Sequence, residues 1–349
     1  MKGWMVTGPR QPLVEIEVPT PAPQGTEVLV EVTHCGVCHS DLHFWKGEYN
    51  MGGGTVMKLA DRGVVLPRAP GHEVAGRVVA LGPDATGVRI GDVRVVFPWL
   101  GCGTCAECLS ENDNLCLSPA AIGVIRHGGF GSHVLVPHAR YLADPGAVDP
   151  ALAATYACSG ITLYSAVRKI MPVEPDKPVL IVGAGGLGLM GIAMLKAFDH
   201  RNIVTVDIDA GKRQAALDAG ATCVVDGAGE GLKERILEAC GPVAAALDCV
   251  ANDATARVSF DVLGKGGKLV IIGVAGGEIT LSLAGLIFRA QSVAGNLTGN
   301  PRDLREVLAL ANAGKLAPTP VNLRPHSCAN EALQDLYAGR VTGRLVLVR

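Results

Sequence analysis

From about Gly160 onward, short apolar runs alternate with helix-like stretches, and few architectures accept that rhythm. VLIVGA (Val179–Ala184) predicts a strand, followed by a helix to about Phe198 and a strand NIVTVD (Asn202–Asp207). Next come a helix over KRQAALDAG, the strand CVVD (Cys223–Asp226), a helix near Leu232–Ala239, and the strands ALDCV (Ala246–Val250) and KLVIIGV (Lys268–Val274). Strands that alternate with helices build a doubly wound parallel sheet with helices on both faces, which puts the chain in the α/β class.

The turn after the first of these strands carries Gly183, Gly185 and Gly188 in the pattern G-x-G-x-x-G, with Gly186 and Leu187 inside it. The pattern alone says little. Between a strand and a helix it reads as a dinucleotide loop, in which glycines allow a tight turn, close approach of a pyrophosphate and close helix–strand packing. The helix start then offers free N–H groups to the anion. Asp207 follows Gly188 by nineteen residues, at the end of the next strand. A carboxylate there accepts hydrogen bonds from the adenosine ribose and repels a 2′-phosphate, so NAD is expected over NADP. Lys212 could reach the same ribose; a solvated helix lysine fits it as well. Residues 178–195 carry no charge over eighteen positions, long enough to test as a membrane span, but the glycine loop breaks that stretch into strand, turn and helix.

The first half reads as strands: EVLVEV (Glu27–Val32), EVAGRVVAL (Glu73–Leu81) and DVRVVF (Asp92–Phe97). After about Gly295 one helix, DLREVLALANAG, and a closing strand, RLVLVR, remain. A chain of 349 residues is long enough for two cores. The expected division is a β-rich domain from 1–159 and 295–349, interrupted by a nucleotide-binding domain at 160–294. With 48% hydrophobic and 18% charged residues the chain folds and is not disordered, and a net charge of −2 leaves no electrostatic case for nucleic acid or a membrane surface. No apolar leader follows the N-terminus, so a cytoplasmic location is expected. Eleven cysteines without such a leader point to metal binding and free thiols over disulfides.

Four of those cysteines, Cys102, Cys105, Cys108 and Cys116, fall within fifteen residues as C-x2-C-x2-C-x7-C. Thiolates spaced this way can close on one tetrahedral zinc that folds a loop and does no chemistry. A second set is scattered: Cys38 in GVCHSDLH, His72 in GHE and Cys158 in YACSGIT. A Cys/His/Cys set leaves a fourth zinc position open, as a catalytic site requires. Each residue singly could be a buried histidine or an inert thiol; together, beside a nucleotide fold, they read as ligands. Zinc so placed lowers the pKa of a bound hydroxyl, and the ionised alcohol can release hydride to a nicotinamide ring. Ser40 and His43 have the right chemistry for carrying the released proton outward, and Asp41 for orienting His72. Cys35, Cys223, Cys240, Cys249 and Cys328 read most simply as small buried hydrophobes.

Together these motifs resemble the zinc-dependent medium-chain alcohol dehydrogenases over nearly the whole chain, from GVCHSDLH to the closing GRVTGRLVLV, and most of all their yeast and bacterial branch. The resemblance implies a GroES-like β-rich catalytic domain around a Rossmann domain, with an active cleft between them. It implies one catalytic zinc on Cys38, His72 and Cys158 and one structural zinc on Cys102, Cys105, Cys108 and Cys116. It makes Glu73 the acidic neighbour of the zinc histidine, Ser40 the hydroxyl on the substrate oxygen and His43 the end of the proton relay. His39 and Arg344 match cofactor-phosphate contacts, and Val250, Gly273 and Val274 lie where strand ends approach the nicotinamide. Trp45 and Trp99 match aromatic pocket positions of the branch that favours primary alcohols; core packing is the alternative for either. A homotetramer is expected, a homodimer being the smaller alternative. The segment NMGGGTVMKLADRGVVLPRAP between relay and GHE is longer than in the yeast type and is expected as a surface loop that could rim the cleft. The expected activity is hydride transfer between a primary aliphatic or aromatic alcohol and NAD. Polyol, sugar or secondary-alcohol oxidation on the same fold is the competing reading, and a non-catalytic nucleotide- or zinc-binding scaffold the third.

Overall fold

In the computed structural model, which describes residues 1–349, two sheets carry the molecule. The first runs in the order Val321–Pro325, Arg344–Val348, Val28–Val37, Glu73–Leu81, Val93–Val96 and Leu142–Ala143, with His133–Val136 also paired to Val28–Val37. Its pairings are antiparallel except for the parallel pair formed by the last two strands of the chain. Residues from both ends of the sequence therefore complete one sheet. The strand expected over Glu27–Val32 extends to Val37, and that extension delivers Cys38 to the end of the strand.

The second sheet has six parallel strands in the order Cys223–Asp226, Ile203–Asp207, Val179–Val182, Val243–Asp248, Leu263–Ile271 and Ser292–Gly295. The order reverses on either side of Val179–Val182, and a crevice opens at the carboxyl ends of the strands at such a point. All four residues of that strand are buried. Val179 and Ile181 face one core and Leu180 and Val182 a second, as the two-residue period of a strand covered on both faces requires.

Two strand ends differ from the sequence expectation. The strand over ALDCV stops at Asp248 because its carboxylate accepts the N–H groups of Val250 (3.0 Å) and Ala251 (2.8 Å) and turns the chain. Its neighbour ends at Ile271, ahead of Gly273, whose Cβ would lie 2.3 Å from the Val250 carbonyl carbon. Helix Leu283–Arg289 and edge strand Ser292–Gly295 were not legible in the apolar pattern, and neither has a buried residue. No helix is long and apolar enough to cross a membrane; residues 178–195 form a strand, the glycine loop and most of helix Gly186–Ala197.

Candidate active site

Strand Val28–Val37 runs into helix His39–Lys46 with Cys38 at the junction. His72 and Glu73 open strand Glu73–Leu81. Cys158 sits in a π-helical turn, Tyr156–Gly160, inserted between helices Pro150–Thr155 and Ile161–Ile170. Such turns widen a helix and re-aim a side chain, here inward. The fold thus gathers Cys38, His72, Glu73 and Cys158, all buried, with ligand atoms within 4.8 Å of one another.

Cys38 Sγ and Cys158 Sγ are 3.8 Å apart. Two thiolates on one tetrahedral zinc stand about 3.8 Å apart, given Zn–S bonds of about 2.3 Å. Asp41 arranges the rest. Its Oδ2 accepts the Cys38 N–H at 2.9 Å, and its Oδ1 accepts the Gly71 N–H at 2.9 Å while facing His72 Nδ1 at 3.4 Å. With Nδ1 turned to the carboxylate, His72 Nε2 points inward, buried and without a partner, the atom a metal would take.

The protonation pattern agrees. The neighbouring Cys158 thiol, against the opposing effect of burial, and then His72 hold the Cys38 thiol well below its usual range. The Cys38 thiolate and then burial push Cys158 well above it. Burial alone would lower His72, but Asp41 and Cys38 outweigh it and bring it to about 10. A zinc ion takes only deprotonated ligands and would release the protons that Cys158 and His72 hold as it binds.

Ser40 and His43 are half-buried on the same helix, three residues apart and so on neighbouring faces. His43 stacks on Tyr49 at 4.9 Å between ring centroids, and burial followed by the Lys46 charge lowers its pKa. Trp99 stands against His72 at 5.1 Å, its indole N–H buried and without a partner. Trp45 turns away from His43. At about 100° per residue it lies roughly 200° round the helix from His43. Its indole N–H donates to the Gln11 carbonyl (2.6 Å) and its ring meets Tyr337 edge-on. That is packing against the N-terminal segment and the C-terminal helix. The aromatic ring beside His43 is Tyr49, which sequence reasoning missed; its place two residues past Gly47, the left-handed C-cap of the helix, was the available signal.

In the glycine loop each glycine has its own steric reason. A Cβ on Gly188 would sit 1.8 Å from the Gly183 carbonyl, and one on Gly183, whose φ is +92°, would meet Val250 at 2.8 Å. Over Gly185 nothing lies within 4 Å, which leaves room for a pyrophosphate above the helix start. Gly186 lies against Arg344, whose Cδ is 2.4 Å from a Cβ placed there. Asp207 Oδ2 accepts the Ala184 N–H (2.7 Å) and Oδ1 the Asp209 N–H (2.9 Å). Lys212 lies in the first turn of the next helix. His39 keeps an edge at the surface, but its ring is partly covered, and its pKa is lowered by that desolvation and then, despite the opposing Cys38 thiolate, by Arg344 and Lys212. Val250 and Gly273 pack together at the strand ends, with Val274 exposed beside them.

The cysteine quartet forms a separate lobe. Its sulfurs lie 3.5 Å (Cys105–Cys108), 3.8 Å (Cys105–Cys116) and 4.0 Å (Cys102–Cys108) apart, the spacing of a tetrahedral sulfur cage. The N–H groups of Cys105 and Ser118 donate to Cys102 Sγ and Cys116 Sγ, and hydrogen bonds from Thr104 and then Cys105 lower the Cys102 thiol to about 6.

Known proteins share this fold. Residues 24–145 match the family described as the alcohol dehydrogenase GroES-like domain, and residues 186–313 match the zinc-binding dehydrogenase family. An NAD-dependent alcohol dehydrogenase of Sulfurisphaera tokodaii is 35% identical over 97% of both chains. The chain belongs to the zinc-dependent medium-chain alcohol dehydrogenase family. The solved alcohol dehydrogenase of Aeropyrum pernix superposes on this dehydrogenase with a TM-score of 0.91 at 30% identity, covering all of both chains. A D-arabinose 1-dehydrogenase (NADP(+)) of Saccharolobus solfataricus is 33% identical over 97% of this chain and 94% of its own. Membership therefore fixes an enzyme of this oxidoreductase family and leaves the substrate class open. A Cys/His/Cys set with an open position is the zinc site for which alcohol dehydrogenases are the standard example, and the residues gathered in this dehydrogenase fit it.

Proposed function

We propose that this dehydrogenase interconverts a primary aliphatic or aromatic alcohol and its aldehyde, with NAD as the hydride partner. One observation carries the reading: Arg344 touches both halves of the chemistry, pairing with Glu73 of the ligand cluster and packing on Gly186 of the glycine loop. Cys38, His72 and Cys158 would hold the catalytic zinc, and Cys102, Cys105, Cys108 and Cys116 a structural one. When bound, the catalytic zinc would acidify the substrate hydroxyl, and NAD would take the hydride. Ser40 accepts the hydroxyl proton and His43 delivers it to solvent; its lowered pKa keeps the imidazole neutral and able to accept. Asp41 keeps His72 Nε2 turned inward. Trp99 lines the substrate side, with Tyr49 in the place first given to Trp45. Gly183, Gly185, Gly186, Leu187 and Gly188 cradle the pyrophosphate with His39 and Arg344. Asp207 and Lys212 take the ribose, and Val250, Gly273 and Val274 the nicotinamide side.

The nucleotide-binding unit in this reading spans 160–294, with 1–159 and 295–349 forming the catalytic unit, and the enzyme works in the cytoplasm as a homotetramer. Leu283, Ile287 and Phe288 are 76%, 76% and 78% exposed beside an edge strand without a buried residue. A second copy laid along that edge would cover both, which supports self-association.

A sugar or polyol substrate is the second reading, favoured by the D-arabinose relative. The test is zinc per chain together with NAD reduction across primary, secondary, aromatic and polyol alcohols. About two zincs per chain with turnover on primary or aromatic alcohols supports the first reading. Turnover on polyols alone transfers the mechanism to the second, and a zinc-loaded protein with no turnover rejects both.

A further inference from the structure

The segment after helix His39–Lys46 is not a free loop. It forms a small hairpin, Glu48–Asn50 paired with Val56–Lys58. Its tip is held by the Asn50 side chain accepting the Gly52 N–H (3.0 Å) and by Met51 N–H donating to the Thr55 carbonyl (2.9 Å). Gly52, Gly53 and Gly54 all have positive φ. The tip lands on the other half of the molecule. A Cβ on Gly52 would sit 2.7 Å from the Gly277 carbonyl oxygen, and one on Gly276 only 2.2 Å from the Asn50 carbonyl oxygen. The landing site is fixed from beneath: Gly276 N–H donates to the Ala251 carbonyl (3.0 Å) and Glu278 N–H to Asp253 Oδ1 (2.5 Å). It follows directly on Gly273 and Val274. At the base of the hairpin, Tyr49 stacks on His43.

We infer that Gly276 and Gly277 are positioning residues, a glycine seat that holds the Asn50–Gly54 tip across the mouth of the cleft and sets how fast the dinucleotide leaves. Backbone resting on backbone allows an approach that side chains would prevent. The seat has no ion pair and no buried apolar side chain to break, so lifting the tip costs little and can recur in every catalytic cycle. The inference rests on the reading of the glycine loop as the NAD site.

The test is the NADH dissociation rate, by stopped-flow fluorescence, in zinc-loaded full-length protein carrying Gly276→Ala, Gly52→Ala or Gly54→Ala. Gly54 shares the positive φ but has nothing within 4 Å, so its variant carries the backbone strain without the clash. Gly276→Ala and Gly52→Ala are expected to release NADH about fivefold faster or more, with Gly54→Ala within about twofold of the parent. Melting curves identify any misfolded variant; Gly52, at the hairpin tip, decides the matter if Gly276→Ala does not fold. Unchanged release in folded Gly52→Ala, or an equal rise in Gly54→Ala, overturns the seat. A parent that fails to bind NADH overturns the underlying site reading as well.

Discussion

The carboxylate of Glu73 and the guanidinium of Arg344 pair inside the protein, at 0% and 5% exposure, beside both the ligand cluster and the glycine loop. They come from neighbouring regions of one sheet, Glu73 from the start of its strand and Arg344 from the start of the C-terminal strand. The pair ties the place where zinc is expected to the place where the dinucleotide phosphate is expected.

Removing one partner of such a pair strands the other. Arg344→Met is expected to leave the Glu73 carboxylate buried and uncompensated, at a stability cost of about 3–5 kcal/mol, and to raise KM for NAD about tenfold or more. Steady-state kinetics and denaturant unfolding read the two effects. An unchanged KM would remove Arg344 from the cofactor site.

Cys38→Ser is expected to abolish alcohol oxidation and lower zinc from about two per chain to about one, since the cysteine quartet is a separate cage. NADH binding should persist because the loop around Gly185 is untouched. Metal analysis and fluorescence titration check this; full turnover would reject Cys38 as a ligand.

Asp207→Gly is expected to raise the NADP/NAD ratio of kcat/KM by about tenfold or more, by removing the charge that repels a 2′-phosphate. The variant also loses the bond to the Ala184 N–H, so absolute NAD affinity should fall. An unaltered ratio would count against the ribose role.

His326 predicts a pH dependence of stability away from the active site. Burial and then the facing Arg349, whose Nη2 lies 2.8 Å from His326 Nε2, lower its pKa from 6.5 to about 4. A protonated ring would set two donors against each other. The unfolded chain therefore binds the proton first as pH falls, and the contribution is complete above pH 6.5 and lost progressively towards pH 4. Thermal melts of the parent should fall across that window, and those of His326→Gln should fall less.

The strand Glu73–Leu81 and the strand Cys223–Asp226 lie where the apolar pattern placed them, because local alternation and bounding turns suffice for them. The helix His39–Lys46 was hidden inside a motif dense in polar and metal-binding side chains, so its apolar face carried little signal. Trp45 and Tyr49 are four residues apart, and only the helix and its left-handed end at Gly47 determine which ring turns to His43.

Local sequence alone determined the cysteine quartet, the glycine loop and the strand–helix alternation, since each is read from contiguous stretches of chain; Asp207 meets the loop at Ala184 through the pairing of two neighbouring strands. Tertiary structure decided the rest. Cys38 and Cys158 are 120 positions apart, and a π-helical turn aims the second at the first. Asp41 serves Cys38 and His72 at once only because two strands of one sheet lie side by side. Gly52 finds Gly277 across the two halves of the molecule. Contacts of that kind depend on how whole sheets pack, and periodicity within a dozen residues carries no record of them.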